Sequence, residues 1–391
     1  MHREVFAVNL LIVNVNVYHS DSMRFEPGAL SARDGIITGV YSEKDALPGE
    51  PDVCVVEGGG CYLVPGLVDM HTHGIAGGDF ITADSDTMAK MARAYLRGGV
   101  TSVIPTLASA PFDDMLAAVR RITEAMRTNA DGGVFRGVHL EGRYLNSAKR
   151  GAHAPELLAA LDPDELDALI GAADGAVHVS AAFEMDADGV FAARALSLGA
   201  TLGLAHTTAN YAQAKLAISR GVNNFTHLFN AMPPLHHRDG GAVCAAFDSD
   251  VFAELIVDGV HVSPEMVALA YRNKKQRLVL VTDSMEATDC ADGEYSIAGM
   301  PVTVKDGKAV THDGAIAGST LHLLDGVKNL SAFADIPFEH ALYSATAAPA
   351  KAMGLDAQIG ELAPGKCADM LLLDTDFNLC RVFCGGREAA L

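Results

Sequence analysis

Leu63-Val-Pro-Gly-Leu-Val-Asp-Met-His-Thr-His-Gly74 is an apolar run with β-branched members that ends in two histidines one residue apart. Strand side chains alternate faces, so His71 and His73 point the same way and one strand end offers two imidazoles to one site. The Gly-Ile-Ala-Gly-Gly that starts at Gly74 has no bulk and turns sharply, as expected where a strand hands over to a loop. Isolated, such a pair is more often a polar strand exit than a metal site. Its weight comes from recurrence downstream.

Beyond Pro65, short apolar runs alternate with helical periodicity. Strands are expected over residues 67–71, 101–107, 135–141, 177–183, 202–206, 223–227, 252–257 and 277–283. Helical patterns fall over 87–97, which stops at Gly98-Gly99, and over 113–128, 163–171, 190–198 and 211–220. Asp162 before Pro163 supplies an N-cap with proline at the first helical position. Right-handed crossovers and burial on both faces leave two architectures, a doubly wound sheet or a closed (β/α)₈ barrel, and eight strands favour the α/β barrel. Residues 293–318 break the rhythm with turn-rich, strand-like text and read as an excursion off the barrel; helices resume over 321–333 and 338–345. Upstream, residues 1–62 carry short alternating strands, one over 6–17 and two flanking the tight turn Asp34-Gly35. The tail over 361–383 is β-like again and is expected to pair with that N-terminal unit.

At 391 residues, 49% of them apolar, the chain can bury a large core and a smaller second one. Its formal charge of −20 repels nucleic acid and anionic membrane surfaces, so an anionic substrate needs a local group of donors. No apolar run is long enough to span a bilayer, and the N-terminal segment lacks a signal-peptide cleavage pattern. Seven scattered cysteines without a Cys-x-x-Cys suit reduced thiols, which points to the cytoplasm.

The first expected strand ends in His71 and His73, the third in Glu141, the fifth in His206, the sixth in His227 and the eighth in Asp283. A parallel barrel aims all its strand ends at one mouth, so these residues converge across wide sequence separations. Imidazoles with one or two carboxylates and no thiolate suit Zn²⁺, Fe²⁺, Co²⁺ or Mn²⁺ and do not suit Ca²⁺. A divalent ion with Asp283 beside it implies metal-assisted hydrolysis. There Asp283 takes the proton of water and returns it to the leaving amine, because an amide anion is too basic to leave.

The sequence around Pro65–Gly74, through His71-Thr-His73, resembles the opening of the amidohydrolase superfamily. Further stretches resemble the N-acetylglucosamine-6-phosphate deacetylase family within it. They are His139-Leu-Glu-Gly142 with Lys149-Arg-Gly-Ala-His153, the run from Thr226 to Arg238 containing Asn230-Ala-Met-Pro233, and Asp258-Gly-Val-His261 followed by Leu280-Val-Thr-Asp283. The likeness extends from Asp34-Gly-Ile-Ile to Gly360-Glu-Leu-Ala-Pro-Gly-Lys-Cys-Ala-Asp369. It implies a barrel over 63–360 and a small β-sandwich built from 1–62 and 361–391. It also implies a principal metal on Glu141, His206 and His227, with Asp283 as catalytic acid/base. His71 and His73 match members able to hold a second ion, so one or two ions per subunit are expected. Ala152 and His153 correspond to sugar and acetyl contacts, with His153 polarising the amide carbonyl. Asn230, Ala231 and Arg238 correspond to phosphate and sugar contacts, His261 to a further substrate contact, and Ile316, Ala317 and Gly318 to a backbone strip. The arginine is supplied by a partner subunit in the family, which implies a homodimer with Arg238 acting in trans.

Three departures stand out. Arg143-Tyr144 replaces the family's Pro-Phe and is expected to bring charge beside the mouth and shift preference among N-acylated sugar phosphates. Gly240 stands where proline is usual, and Ala348 where asparagine is common. Cyclic-amide hydrolases of the superfamily are disfavoured because residues 177–184 contain no lysine to carry their bridging carboxylate. A non-catalytic barrel used as a binding module is the reading from a different class; such proteins lose ligands first, and here every expected ligand is present.

Overall fold

The computed structural model describes residues 9–49, 53–128 and 134–390. Eight parallel strands form one sheet in sequence order: Leu67–Thr72, Val100–Leu107, Gly137–Glu141, Ala176–Ala181, Thr201–Leu204, Asn224–Phe225, Phe252–Ile256 and Leu278–Val281. They are buried on both faces almost throughout, which is why their text is mostly apolar rather than alternating. The eighth strand closes on the first through the Asp283 N–H, which donates to the His71 carbonyl at 2.9 Å. Below that contact Thr282 Oγ1 donates to Asp69 Oδ2 at 2.6 Å, so side chains tie the seam where no regular ladder runs.

Each strand is followed by a helix packed outside the barrel, the first being Ser85–Arg97 and the eighth Leu323–Ala334. Their starts obey local chemistry. Asp84 accepts the Thr87 N–H at 2.9 Å, Asp162 caps Pro163–Ala172, and Asn210 and Gln213 form a reciprocal capping box. Apolar faces then join the strands in one continuous core. The expected excursion is a three-stranded antiparallel sheet, Gly293–Ile297, Met300–Lys305 and Lys308–Thr311, with its own small core.

The chain ends form the second sheet. Met370–Leu373 lies antiparallel to Tyr62–Pro65, which pairs with Asn9–His19, and Arg24–Arg33 and Ile36–Ser42 continue it through the Asp34-Gly35 turn. Both turn residues have positive φ, 52° and 80°, the geometry that two-residue hairpins need. Of the strand expected over 6–17, residues 6–8 lie outside the described residues. Leu10, Ile12, Leu63, Met370 and Phe383 share this unit's core.

Five barrel strands stop earlier than expected, and three of them do so for one reason. Leu204, Phe225 and Val281 each end a ladder, and two residues on, His206, His227 and Asp283 have φ of 43°, 32° and 50°. Left-handed backbone cannot continue a ladder. All three deviations fall on residues proposed to act at the mouth.

Candidate metal centre at the barrel mouth

Six side chains meet above the strand ends, with Glu141 between them. Its Oε1 lies 2.9 Å from His227 Nε2 and 3.3 Å from His206 Nε2; its Oε2 lies 3.2 Å from His71 Nε2 and 3.1 Å from His73 Nε2. Asp283 Oδ1 completes the second group at 3.1 Å from His73 Nε2. Two donor sets result, Glu141 with His206 and His227, and His71 with His73 and Asp283, each with its ligand atoms within 4.8 Å of one another. All six residues are buried.

The hydrogen bonds behind the imidazoles fix which nitrogen faces the centre. His206 Nδ1 lies 2.8 Å from the Lys149 carbonyl, so it carries the proton and Nε2 presents a lone pair. His71 Nδ1 donates in the same way to Glu254 Oε2 at 2.9 Å. His206 Nε2 is also 3.1 Å from His227 Nε2, so the His206 lone pair, the His227 ring nitrogen and the Glu141 carboxylate converge on one point. The donor set therefore fits a divalent ion.

The same crowding sets the charges. Burial disfavours charge on His73, but Asp283 and Glu141 outweigh it and hold the imidazole up at about 9. Burial likewise opposes the Asp283 carboxylate, yet His71 and His73 hold it down at about 2. Burial also works against Glu141, and His71 and His227 keep it ionised well below the carboxylate range. Asp283 thus stands as a carboxylate, able to take a proton.

A cavity of about 290 Å³ opens over these groups. His73, Glu141, His206, His227 and Asp283 form its floor, and Ala152, His153, Asn230, Ala231, His261, Ile316 and Gly318 its walls. The Ser109 N–H points at His153 Nδ1 from 3.3 Å, so Nδ1 accepts and the neutral ring's proton sits on Nε2. Burial, reinforced by His206, pushes His153 down to about 3 and keeps it neutral, so it is an N–H donor rather than a cation. Asp258 holds His261 through a 2.7 Å bond to Nδ1.

Several expected residues lie elsewhere. His71 is fully buried beneath the floor. Ala317 packs into the excursion's core, with its N–H donated to the Ala309 carbonyl, so only its neighbours face the cavity. Arg238 sits on an exposed loop, Nη1 2.7 Å from His237 Nε2, and no lysine or arginine lines the cavity among the described residues. Arg143, expected beside the mouth, is turned away: its Nη2 pairs with Glu165 at 3.1 Å and Nη1 reaches the Ala110 carbonyl, while Tyr144 is buried against Phe191. Gly240 adopts φ −70°, where proline would fit the backbone, but a Cβ there would stand 2.4 Å from Cys244 Cβ. Ala348 is fully buried among apolar residues.

Sequence reasoning missed Glu254. It is fully buried, accepts from His71 Nδ1 and from the His227 N–H at 3.2 Å, and is bonded by Asn224 Nδ2. The signal was present: Phe252–Ile256 is apolar except for this one acid, and a charge in a strand buried on both faces must have partners.

An α/β barrel with a histidine–carboxylate centre at its mouth defines the class, and the comparisons place the chain within it. Residues 62–389 match the Amidohydrolase family. The chain is 34% identical to an N-acetylglucosamine-6-phosphate deacetylase of Vibrio furnissii, over 91% of this chain and 90% of that one. To an N-acetylgalactosamine-6-phosphate deacetylase of Escherichia coli O157:H7 it is 33% identical, over 91% and 94%. A Mycobacterium smegmatis N-acetyl-D-glucosamine-6-phosphate deacetylase mutant, solved with N-acetyl-D-glucosamine-6-phosphate, superposes with a TM-score of 0.88 at 31% identity, covering 98% of this chain and all of that one. The chain belongs to the amidohydrolase family. Family and donor sets together imply a divalent metal.

Proposed function

We propose that the protein deacetylates N-acetyl-D-glucosamine 6-phosphate to D-glucosamine 6-phosphate and acetate in amino-sugar catabolism. The observation that carries this is the pairing, in one cavity, of a donor set that fits a divalent ion with a neutral imidazole N–H donor and an ionised carboxylate. Glu141, His206 and His227 hold the principal ion, most suitably Zn²⁺, and His71, His73 and Asp283 offer a second position. When bound, a divalent ion supplies Lewis acidity that acidifies water and polarises a carbonyl.

The remaining work falls to side chains. His153 Nε2–H donates to the acetamide oxygen and stabilises the charge that develops there. Asp283 accepts the proton of the attacking water and passes it to the departing nitrogen. Asn230, Ala231, His261 and the backbone around Ile316 and Gly318 hold the sugar. With no lysine or arginine on the cavity wall among the described residues, the phosphate is met by Arg238 of a second subunit in a homodimer. Seven free cysteines support a cytoplasmic location, and among the described residues no helix is long and apolar enough to cross a membrane.

Specificity constants decide the substrate. The phosphorylated glucosamine derivative is expected to exceed its unphosphorylated form and the mannosamine and galactosamine epimers. Equal values with and without phosphate overturn the role of Arg238, and a preference for the galactosamine epimer reassigns the sugar while leaving the chemistry intact.

A further inference from the structure

A second cavity opens at the opposite end of the barrel. Arg277 immediately precedes the eighth strand and Asp250 lies just ahead of the seventh, whereas the metal centre lies past the other ends of the strands. The cavity encloses about 780 Å³, and Arg272, Lys274, Lys275, Arg277 and Lys351 line it, with His340 beside them. Asp250 is the one carboxylate on its wall, and Arg277 already holds it through bonds of 2.9 and 2.7 Å. Lys351 is 3.6 Å from Glu361, a carboxylate shared with Lys366 at 2.6 Å. Lys274 Nζ donates to the carbonyls of Ala246 and Ser249, which take two of its three hydrogens and leave its charge unpaired. Arg272 and Lys275 are exposed and have no ion-pair partner among the described residues. In a chain with 49 acidic and 29 basic residues, gathering this many cations without matching acids is contrary to the composition.

The backbone gives an independent indication. Lys275 ends the helix Pro264–Lys274 with φ 48° and ψ −117°, a conformation that glycine ordinarily supplies. Strained residues of this kind persist where the surroundings over-determine them and cluster at ligand clamps. Here the strain falls on a lysine of the cavity, far from the chemistry. Burial, partly offset by Asp250 and reinforced by Arg277, pushes Lys274 down to about 8.

We propose that this cavity is a second anion site, separate from the catalytic mouth, that binds the phosphate monoester of a sugar-sized metabolite. A dianion answers the excess of cations, and the fork of Arg272 suits its oxygens. The Tyr343 hydroxyl, 2.9 Å from Lys351 Nζ, and His340 offer polar contacts to the body of the ligand. The volume lies in the range of small-molecule sites.

Calorimetric titration of the metal-loaded full chain with glucose 6-phosphate, inorganic phosphate and glucose tests this, run in parallel on an Arg272→Gln/Lys275→Gln variant. Both side chains are exposed, so folding is not at stake, and neither belongs to the proposed catalytic machinery. Glucose 6-phosphate is expected to show a salt-sensitive binding event that weakens roughly tenfold or more in the double variant, with the deacetylation constants unchanged and no heat from glucose. Any binding at the mouth survives in the variant and is thereby separated. Inorganic phosphate as tight as the ester, and equally weakened by the variant, keeps the anion site but overturns the sugar-sized ligand. Identical binding curves for the two proteins, or no binding, overturn the site altogether.

Discussion

The two donor sets at the mouth meet at Glu141, which belongs to the first and lies against His71 and His73 of the second, and they differ in what stands behind them. In the first, His206 is held by the Lys149 carbonyl, in the same loop that carries Ala152 and His153, so ligand geometry and the substrate wall are joined through one segment. In the second, His71 is held by Glu254, a carboxylate rooted in the seventh strand and fully buried. A carboxylate behind an imidazole raises its basicity more than a carbonyl does. The first set is therefore coupled to the cavity wall and the second to the barrel interior, and Glu141 stands between them.

Glu141→Gln tests that junction most severely. It removes the charge between the two sets, and elemental analysis is expected to find little metal, with turnover reduced by more than the ~10⁴-fold that losing one acid–base group can cost. Near-normal metal content would break the picture of a carboxylate on which the sets meet. Asp283→Asn separates chemistry from binding: kcat is expected to drop ~10²–10⁴-fold while the Glu141, His206 and His227 position keeps its ion. An active Asp283→Asn protein would remove the carboxylate from the proton path.

Glu254→Leu sharpens the contrast between the sets. Equilibrium dialysis against metal buffers should show affinity at the His71 position falling ~10–100-fold, with the first position less affected. Glu254→Gln, which can still accept from His71 Nδ1 through its amide oxygen, should fall between Leu and wild type. Two ions held equally well by all three proteins would show that the buried carboxylate does not tune the ligand.

How far this centre could be read from sequence depends on which part is considered. The strand-end residues were legible because a parallel barrel converts position along a strand into position in space, and His71, Glu141, His206, His227 and Asp283 each close an expected strand. The backbone at those ends was not legible: left-handed φ at His206, His227 and Asp283 is imposed by tertiary packing, so the expected strands ran two residues long. Glu254 carried a visible signal, an acid inside an apolar strand, but its partners Asn224 and His71 come from other strands and only folding unites them. The terminal sheet was readable from alternation and the Asp34-Gly35 turn, whereas the parallel pairing of Asn9–His19 with Val53–Glu57 has no local mark.

Arg143 is the smallest test, and it probes the boundary of the first set. From sequence it stands two residues past Glu141 and should add charge to the mouth, yet φ of 66° reverses the chain there and sends the guanidinium to Glu165 and the Ala110 carbonyl. An asparagine tolerates that backbone while deleting the ion pair. Because the pair is partly solvated, Arg143→Asn is expected to lower stability by no more than about 1 kcal/mol, measured by urea denaturation. The ratio of specificity constants for the glucosamine and galactosamine substrates should stay as in wild type. A changed ratio would mean that Arg143 swings into the mouth when substrate binds, extending the loop-coupled set by one more side chain.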